Sequence, residues 1–257
     1  MDIIEAMRER RSVRTFDGRP LDRDSWRELQ QAAEEAESPF GAQVDIQLRR
    51  FDLRDGFRPG TYGVIRGAVD FFLVGFGDDE RSALSAGYAF ETIVLKAWQM
   101  GLGTCWIAGT FKRSDFGGMD DLKVVSPVGV ADDMAFRERM MRLVMGSKNR
   151  KPFGTIFFNG DFNTPAEASG RFGRSLEMMR LAPSSTNSQP WRALVDGDRV
   201  HFYYLPKSRY ALIDCGIGLC HFHLTEKHLG REGRFYTEGT PPPAADGMIY
   251  LMSYANI

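Results

Sequence analysis

The chain predicts an α+β fold in which one arrangement of elements occurs twice in tandem, and three observations carry that expectation. Laying Gln189 on Gln43, an offset of 146 residues, places APSSTNSQ over ESPFGAQ, each preceded by a helical run with alanine near its end. Laying Gly216 on Gly87, an offset of 129, also superimposes Gly230 on Gly101 and Leu224 on Leu95. Between these anchors RVHFYYL (199–205) matches AVDFFLV (68–74), and MIYLMSYA (248–255) takes the place of VVSPVGVA. The order helix, loop, strand, strand, helix, strand therefore repeats, with the second copy 17 residues shorter in the middle. The halves are expected at 1–155 and 156–257.

The elements follow in order. Asp2 to Glu9 reads as a short helix with Ile3, Ile4 and Met7 at helical spacing. RRSVRTF (10–16) suits an extended segment. LDRDSWRELQQAAEEAES offers Asp22 or Asp24 as an N-cap to a helix that stops before Pro39. Strands are expected at 44–51 and 69–76, a long helix at 83–100 ending at Gly101, then the GLGTCWIAG turn, a strand at 123–131 and a basic stretch, GSKNRKP. In the second half IDCGIGLCHFHLTEKHLG reads as one mostly buried helix ending at Gly230.

Composition excludes several function classes. The 257 residues are 43% hydrophobic and 26% charged with a formal net charge of -1, so nucleic acid and membrane surfaces have little electrostatic support as partners. GAVDFFLVGF (67–76) is about half the length of a membrane span and contains Asp70, so it is read as a buried strand. MDIIEAMRERRS has no apolar signal region, which makes the cytoplasm the expected compartment. Cys105, Cys215 and Cys220 are odd in number and form no CxxC, against a disulfide framework. Cys215, Cys220, His221, His223 and His228 cluster on one helix but point in several directions around it, so no metal is expected.

Two segments carry the chemistry. In an extended RRSVR segment Arg10, Ser12 and Arg14 project from one face, two guanidinium forks with a hydroxyl between them, suited to a phosphate and an electron-rich carbonyl. A solvated basic face is the alternative. APSSTNSQPW (182–191) supplies hydroxyls at Ser184 and Ser185, an amide at Asn187 and another at Gln189, in a loop stiffened by prolines. Such groups suit the ribityl hydroxyls and the uracil-like edge of a flavin. A plain helix-to-strand turn is the alternative there.

Together, RRSVRTF at 10–16, GLGTCWIAG at 101–109, SKNRKP at 147–152 and APSSTNSQPW at 182–191 resemble the nitroreductase family of FMN-dependent oxidoreductases, in its single-chain pseudo-dimer branch. The resemblance spans most of the chain. It implies a nitroreductase-like three-layer fold whose usual homodimer interface is built internally, with a monomer expected. One FMN per chain is expected, because the mirror site would pair SPFGAQ with a copy lacking the arginines.

By the same resemblance, Arg10, Lys148 and Arg150 would neutralise the FMN phosphate, with Arg11 and Ser12 near the phosphate and ribityl chain. Arg14 would lie near N1 and the C2 carbonyl, where a fixed cation favours reduced flavin. Pro183, Ser184, Ser185, Asn187 and Gln189 would approach from the second half. Ala108 and Gly109 would offer backbone near N5, this chain having alanine where other members carry an acidic residue, and Tyr62 and Gly63 would face the ring. The implied activity is ping-pong two-electron transfer from NADH or NADPH through flavin N5 to a nitroaromatic, quinone or similar small electrophile. A flavin carrier or redox sensor on the same fold, and a member without bound cofactor, stay open.

Overall fold

The computed structural model describes residues 1–51, 60–132 and 149–256. Helix α1 (Ile3–Glu9) opens on a capping box, the Asp2 carboxylate accepting from the Glu5 amide and Glu5 from that of Asp2. Helix α2 (Arg23–Glu34) is capped by Asp22, the first of the two candidate aspartates, which accepts from Ser25 N–H at 2.8 Å. Between them residues 10–16 are extended. Ser12 bridges Thr104, Thr15 bridges Arg66 and Phe16 bridges Ala131.

The first sheet holds β1 (Asp45–Arg50), β2 (Asp70–Gly75), β3 (Gly103–Thr104) and β4 (Leu122–Gly129) in the order β1-β2-β4-β3, every pairing antiparallel. Helix α3 (Glu80–Gln99), capped by Asp79, joins β2 to β3. β2 is buried along its whole length, which explains why its sequence is a continuous apolar run rather than an alternating one. Asp70, the charge inside that run, is itself buried and takes an ion pair from Arg50 at 2.7 Å and a hydrogen bond from Leu21 N–H at 2.6 Å. It thereby ties α2's entry to the sheet.

The second sheet is larger. Its strands are β5 (Phe157–Asn159), β6 (Asp161–Pro165), β7 (Trp191–Asp196), β8 (Arg199–Tyr204), β9 (Gly233–Tyr236) and β10 (Ile249–Asn256), in the order β6-β5-β7-β8-β10-β9. Helix α4 (Gly173–Leu181) precedes β7 and α5 (Ala211–His228) joins β8 to β9. The strands β7-β8-β10-β9 repeat the order and antiparallel sense of β1-β2-β4-β3. The step from Arg50 to Asp70 is 20 positions, whereas that from Asp196 to Arg199 is 3, so the 17-residue difference between the two offsets falls in this one connection. The shorter one is a tight hairpin with Gly197 at φ 56°. The β5-β6 pair, the hairpin and β9 are elements that the sequence reading had not marked.

Phe90 of α3 packs edge-on against Phe72 of β2 with ring centroids 5.5 Å apart, and Phe222 of α5 does the same against Phe202 of β8 at 5.1 Å. The two helices also pack on each other, so the layers run sheet, paired helices, sheet. Their crossing is close. A Cβ on Gly87 would lie 3.1 Å from the Gly216 Cα and nearer still to the Ile213 carbonyl, while one on Gly216 would lie 3.0 Å from the Gly87 Cα and nearer to the Leu84 carbonyl. The main hydrophobic core is continuous across this crossing, from Leu29 and Phe72 to Trp191 and Tyr254. Among the described residues no helix is long and apolar enough to cross a membrane.

Candidate functional site

Arg10 caps the C-terminus of α1, its N–H donating to the Ala6 carbonyl at 2.8 Å. Its side chain turns inward and is 5% exposed, with Nε 3.7 Å from Glu91 Oε1. Nε and Nη1 are buried and have no hydrogen-bond partner among the described residues. A buried guanidinium with idle donors carries a substantial desolvation cost. An anion reaching those donors would relieve it.

Glu91 is fully buried on α3 and meets polar side chains from three parts of the chain. Trp106, in the GLGTCW turn, donates Nε1–H to Oε2 at 2.8 Å, His221 of α5 reaches Oε1 at 2.9 Å, and Arg10 faces the same oxygen. The other ring nitrogen of His221 lies 3.1 Å from the Met178 carbonyl, which can only accept, so Nδ1 carries a proton. The proton between His221 Nε2 and Glu91 then makes the pair either ionic or neutral. Neither Glu91 nor His221 was singled out as a site residue from the sequence. A carboxylate within the apolar run FETIV was the available signal.

Arg150 lies close enough to Arg10 to feel its charge. One of its Nη atoms donates to Asn187 Oδ1 and the other to the Leu181 carbonyl at 2.8 Å. Burial first, then the neighbouring charges of Arg10 and Arg180, pushes the Arg150 guanidinium down to about 10. Arg10 from the first motif and half-buried Arg150 beside the second thus act on each other as like charges, an arrangement that an anion would stabilise. Lys148, the third predicted phosphate ligand, lies outside the described residues. Arg11 is exposed, with Nε 3.3 Å from the Glu9 carbonyl, and Ser12 is half-buried beside Thr104.

The loop after α4 is held internally. Thr186, Asn187 and Gln189 all have positive φ, of 51°, 58° and 48°, a strained set that needs outside support. That support comes from both sides. Ser184 Oγ accepts from Gln189 N–H at 3.0 Å, and Gln189, 1% exposed, accepts from Lys151 N–H at 2.8 Å and donates to Asn187. Asn187 Nδ2 donates to the Asn149 carbonyl at 3.0 Å. The Asn187 amide is therefore engaged within the protein, where it orients Arg150. Pro183 is half-buried at the loop entrance.

Asp214, in the first turn of α5, anchors the loop from below. Its carboxyl accepts from Ser185 N–H at 2.9 Å and meets Ser188 Oγ at 3.3 Å. Burial raises this carboxyl to about 7, against the two hydrogen bonds that lower it. Asp214 is another residue that sequence reasoning missed. At the corresponding place in the first half, offset by 129, stands Ser85, which bonds Ser38 of the ESPFGAQ loop at 2.7 Å.

Three cavities take up the remaining predicted residues. Arg14, Gly63 and Arg66 line one of about 480 Å³, and the Arg14 carbonyl accepts from Arg66 N–H at 2.9 Å. Tyr62 is 73% exposed with φ 46°, and it lines an adjoining cavity of about 410 Å³ with Gly63. Ala108 and Gly109 line a cavity of about 510 Å³ that α5's entry closes from the other half, where Tyr210 donates its hydroxyl to the Ala108 carbonyl at 3.1 Å. A further cavity of about 860 Å³ lies by the ESPFGAQ loop. Glu34, Glu37, Asp45, Asp120 and Asp121 line it, with no lysine or arginine among the described lining residues.

The helix cysteines and histidines do not converge. Cys215 and Cys220 are buried thiols, and Tyr88 O–H meets His223 Nδ1 at 2.8 Å. Among the described residues no group of three or more His, Cys, Asp or Glu is placed to hold a metal ion.

Comparison with known proteins places this geometry in context. The profile of the family described as "Putative TM nitroreductase" matches residues 2–226. A putative nitroreductase from Thermotoga maritima MSB8 superimposes over 100% of this chain and 94% of its own, with 20% identity and a TM-score of 0.67, a likeness of fold. A nitroreductase with bound FMN from Bacteroides fragilis NCTC 9343 covers 52% of this chain and 90% of its own, at 16% identity and a TM-score of 0.42. A putative nitroreductase in complex with FMN from Desulfovibrio desulfuricans covers 51% and 87%, at 21% identity and 0.40. Comparison with curated proteins gave no match.

Proposed function

The chain belongs to the family described as putative TM nitroreductases, and on that premise we propose that it is an FMN-dependent oxidoreductase of nitroreductase type. The observation that carries this reading is a pair of neighbouring guanidiniums, Arg10, buried beside Glu91 with Nε and Nη1 unbonded among the described residues, and half-buried Arg150, depressed by desolvation and by Arg10 itself. Cations so placed fit a phosphate better than they fit one another. The donor set thus suits the FMN phosphate, and Lys148, two residues before Arg150, is assigned the same task.

The other residues divide the work. Arg11 and Ser12 stand beside Arg10 at the phosphate and ribityl end. Asn187 and Gln189 orient Arg150, and Pro183, Ser184 and Ser185 hold the loop that brings them there. Arg14 supplies a cation on the wall next to Tyr62 and Gly63, where it favours negative charge on a bound ring. Ala108 and Gly109 present backbone to the cavity beside Tyr210. When bound, FMN would supply two-electron chemistry, taking hydride from NADH or NADPH and reducing a nitroaromatic, quinone or similar small electrophile. Donor and acceptor occupying one cavity in turn give ping-pong order. No nucleophile or catalytic triad is required.

The repeated strand order, the reciprocal approach of Gly87 and Gly216 and the shared core support reading the chain as two fused copies, 1–155 and 156–257, that build a dimer-like interface internally. One FMN per chain follows, since the cavity by the ESPFGAQ loop is ringed by carboxylates that repel a phosphate. A monomer suffices for such a site. The test is the absorbance spectrum and flavin content of the purified chain. Yellow protein with close to one FMN per chain supports the reading, two FMN per chain overturns the single site, and colourless protein that ignores added FMN overturns the assignment.

A further inference from the structure

The cavity lined by Ala108 and Gly109 has a charge pattern that the flavin reading does not require. Its wall carries Arg113, Lys123 and Arg209, against one carboxylate, Asp78. Asp78 is already engaged, bonded by Lys123 Nζ at 2.6 Å. Its carboxyl is held below the usual range by that bond and charge, with Arg113 adding to the effect. The wall therefore keeps an excess of positive charge.

The cations are held by different neighbours. Lys123 sits over the Phe76 ring at 4.7 Å. Arg209 lies over the ring of Tyr210, also at 4.7 Å, and donates to the Tyr210 hydroxyl, which in turn donates to the Ala108 carbonyl. Arg209 is thereby connected through one side chain to the backbone assigned to the redox end of the site. The remaining lining is largely apolar or aromatic, with Phe111 and Ile213 among it. At about 510 Å³ the space suits a small organic ligand.

The cavity on the other side of Phe76 and Gly77 has the opposite character. Those two residues line both spaces, yet the second presents five carboxylates, as described above. An anion approaching this face is attracted to one cavity and repelled by its neighbour.

We propose that the cavity bounded by Arg113, Lys123, Arg209 and Tyr210 binds an organic anion with an apolar or aromatic body, so that the enzyme selects negatively charged reaction partners. The inference takes its chemical role from the flavin reading, but the binding preference stands on the cavity alone. The charge can belong to either partner of the reaction: a carboxylate on the electrophile, or the 2′-phosphate that distinguishes NADPH from NADH. Both meet the same cations.

The experiment titrates the purified chain by calorimetry with two matched pairs, benzoate against benzamide and NADP⁺ against NAD⁺. The anionic member of at least one pair should bind about tenfold more tightly at low salt. Preference for benzoate assigns the charge to the electrophile and preference for NADP⁺ assigns it to the donor. The preference should shrink at about 1 M salt, where the screening length is about 3 Å. It should also collapse in the R113Q/R209Q double variant, and fall partway in R113Q alone, which leaves the Arg209–Tyr210–Ala108 connection intact.

Equal binding within both pairs overturns the proposal, as does a preference that survives in the double variant. Colourless protein that still prefers the anions would remove the flavin reading and leave this inference standing. Yellow protein without any preference does the reverse.

Discussion

Gly87 and Gly216 meet backbone to backbone where α3 crosses α5, each occupying a position in which a side chain would enter the carbonyl of the opposite helix. The contact is reciprocal. Gly87 faces Ile213 and Gly216 faces Leu84, and the two pairs are related by the same 129-residue offset. Neither obstacle is a flexible side chain that can move aside. Gly87→Ala and Gly216→Ala should each destabilise the protein by about 3 kcal/mol or more by forcing the helices apart. Urea denaturation measures this, and a loss below about 0.5 kcal/mol for both variants would show that the helices are not in close contact.

Glu91, fully buried, accepts from Trp106, shares a proton with His221 and lies beside Arg10. Glu91→Ala leaves these donors without their acceptor, and should cost about 3–5 kcal/mol. Glu91→Gln keeps the shape and one acceptor, so its cost should be smaller. Equal, small effects from both in thermal or urea unfolding would show that the carboxylate is not the hub of the network.

Asp214 has its folded-state carboxyl raised to about 7 from an ordinary value of 3.8. The folded protein then binds the proton more strongly than the unfolded chain between those values. Stability from this group is greatest below about 4, falls as pH rises toward 7 and is level above that. In Asp214→Asn the amide oxygen still accepts from Ser185 and the amide nitrogen still reaches Ser188, while the titration is gone. The variant should therefore gain on the parent by about 1–3 kcal/mol between pH ~5 and pH ~8. Parallel stability curves for the two proteins would contradict this account.

Arg10→Ala removes one of the two neighbouring guanidiniums, and Asn187→Ala releases the other from its orienting amide. Each should weaken FMN retention by about ten- to a hundredfold, the scale of one hydrogen bond to a charged group. Flavin fluorescence on dilution or dialysis reads this directly. Unchanged retention in both variants would remove the phosphate assignment.

Much of the architecture is legible in the chain because local chemistry decides it. The run VDFFLVGF is buried from Asp70 onward and reads as a strand, and α3 and α5 stop just before Gly101 and Gly230, whose positive φ of 80° and 69° ends each helix. Asp2, Asp22 and Asp79 cap the helices that follow them. The β5-β6 pair escaped notice because it is short and largely exposed, so it lacks an apolar pattern.

At the site the sequence shows the residue types but not their partners. RRSVR and APSSTNSQPW name Arg10 and Asn187, yet nothing local indicates that Arg10 turns inward to Glu91 or that Asn187 is occupied by Arg150. Those contacts join segments 81 and 37 residues apart, and only the docking of α1 on α3 and of the loop against residues 149–151 creates them. Asp214 is the instructive omission. An acid embedded in the apolar stretch ALIDCGIG must find buried donors, and the loop 26–29 residues before it provides them.

Because α3 and α5 are carried on one polypeptide, their partnership is not subject to mass action. The helix that brings His221 to Glu91 and Asp214 to the Ser185 loop is tethered at a fixed effective concentration, whatever the protein's abundance. A site assembled from two separate subunits comes apart on sufficient dilution. Here scarcity cannot separate the two helices, so these contacts persist at vanishingly low copy number.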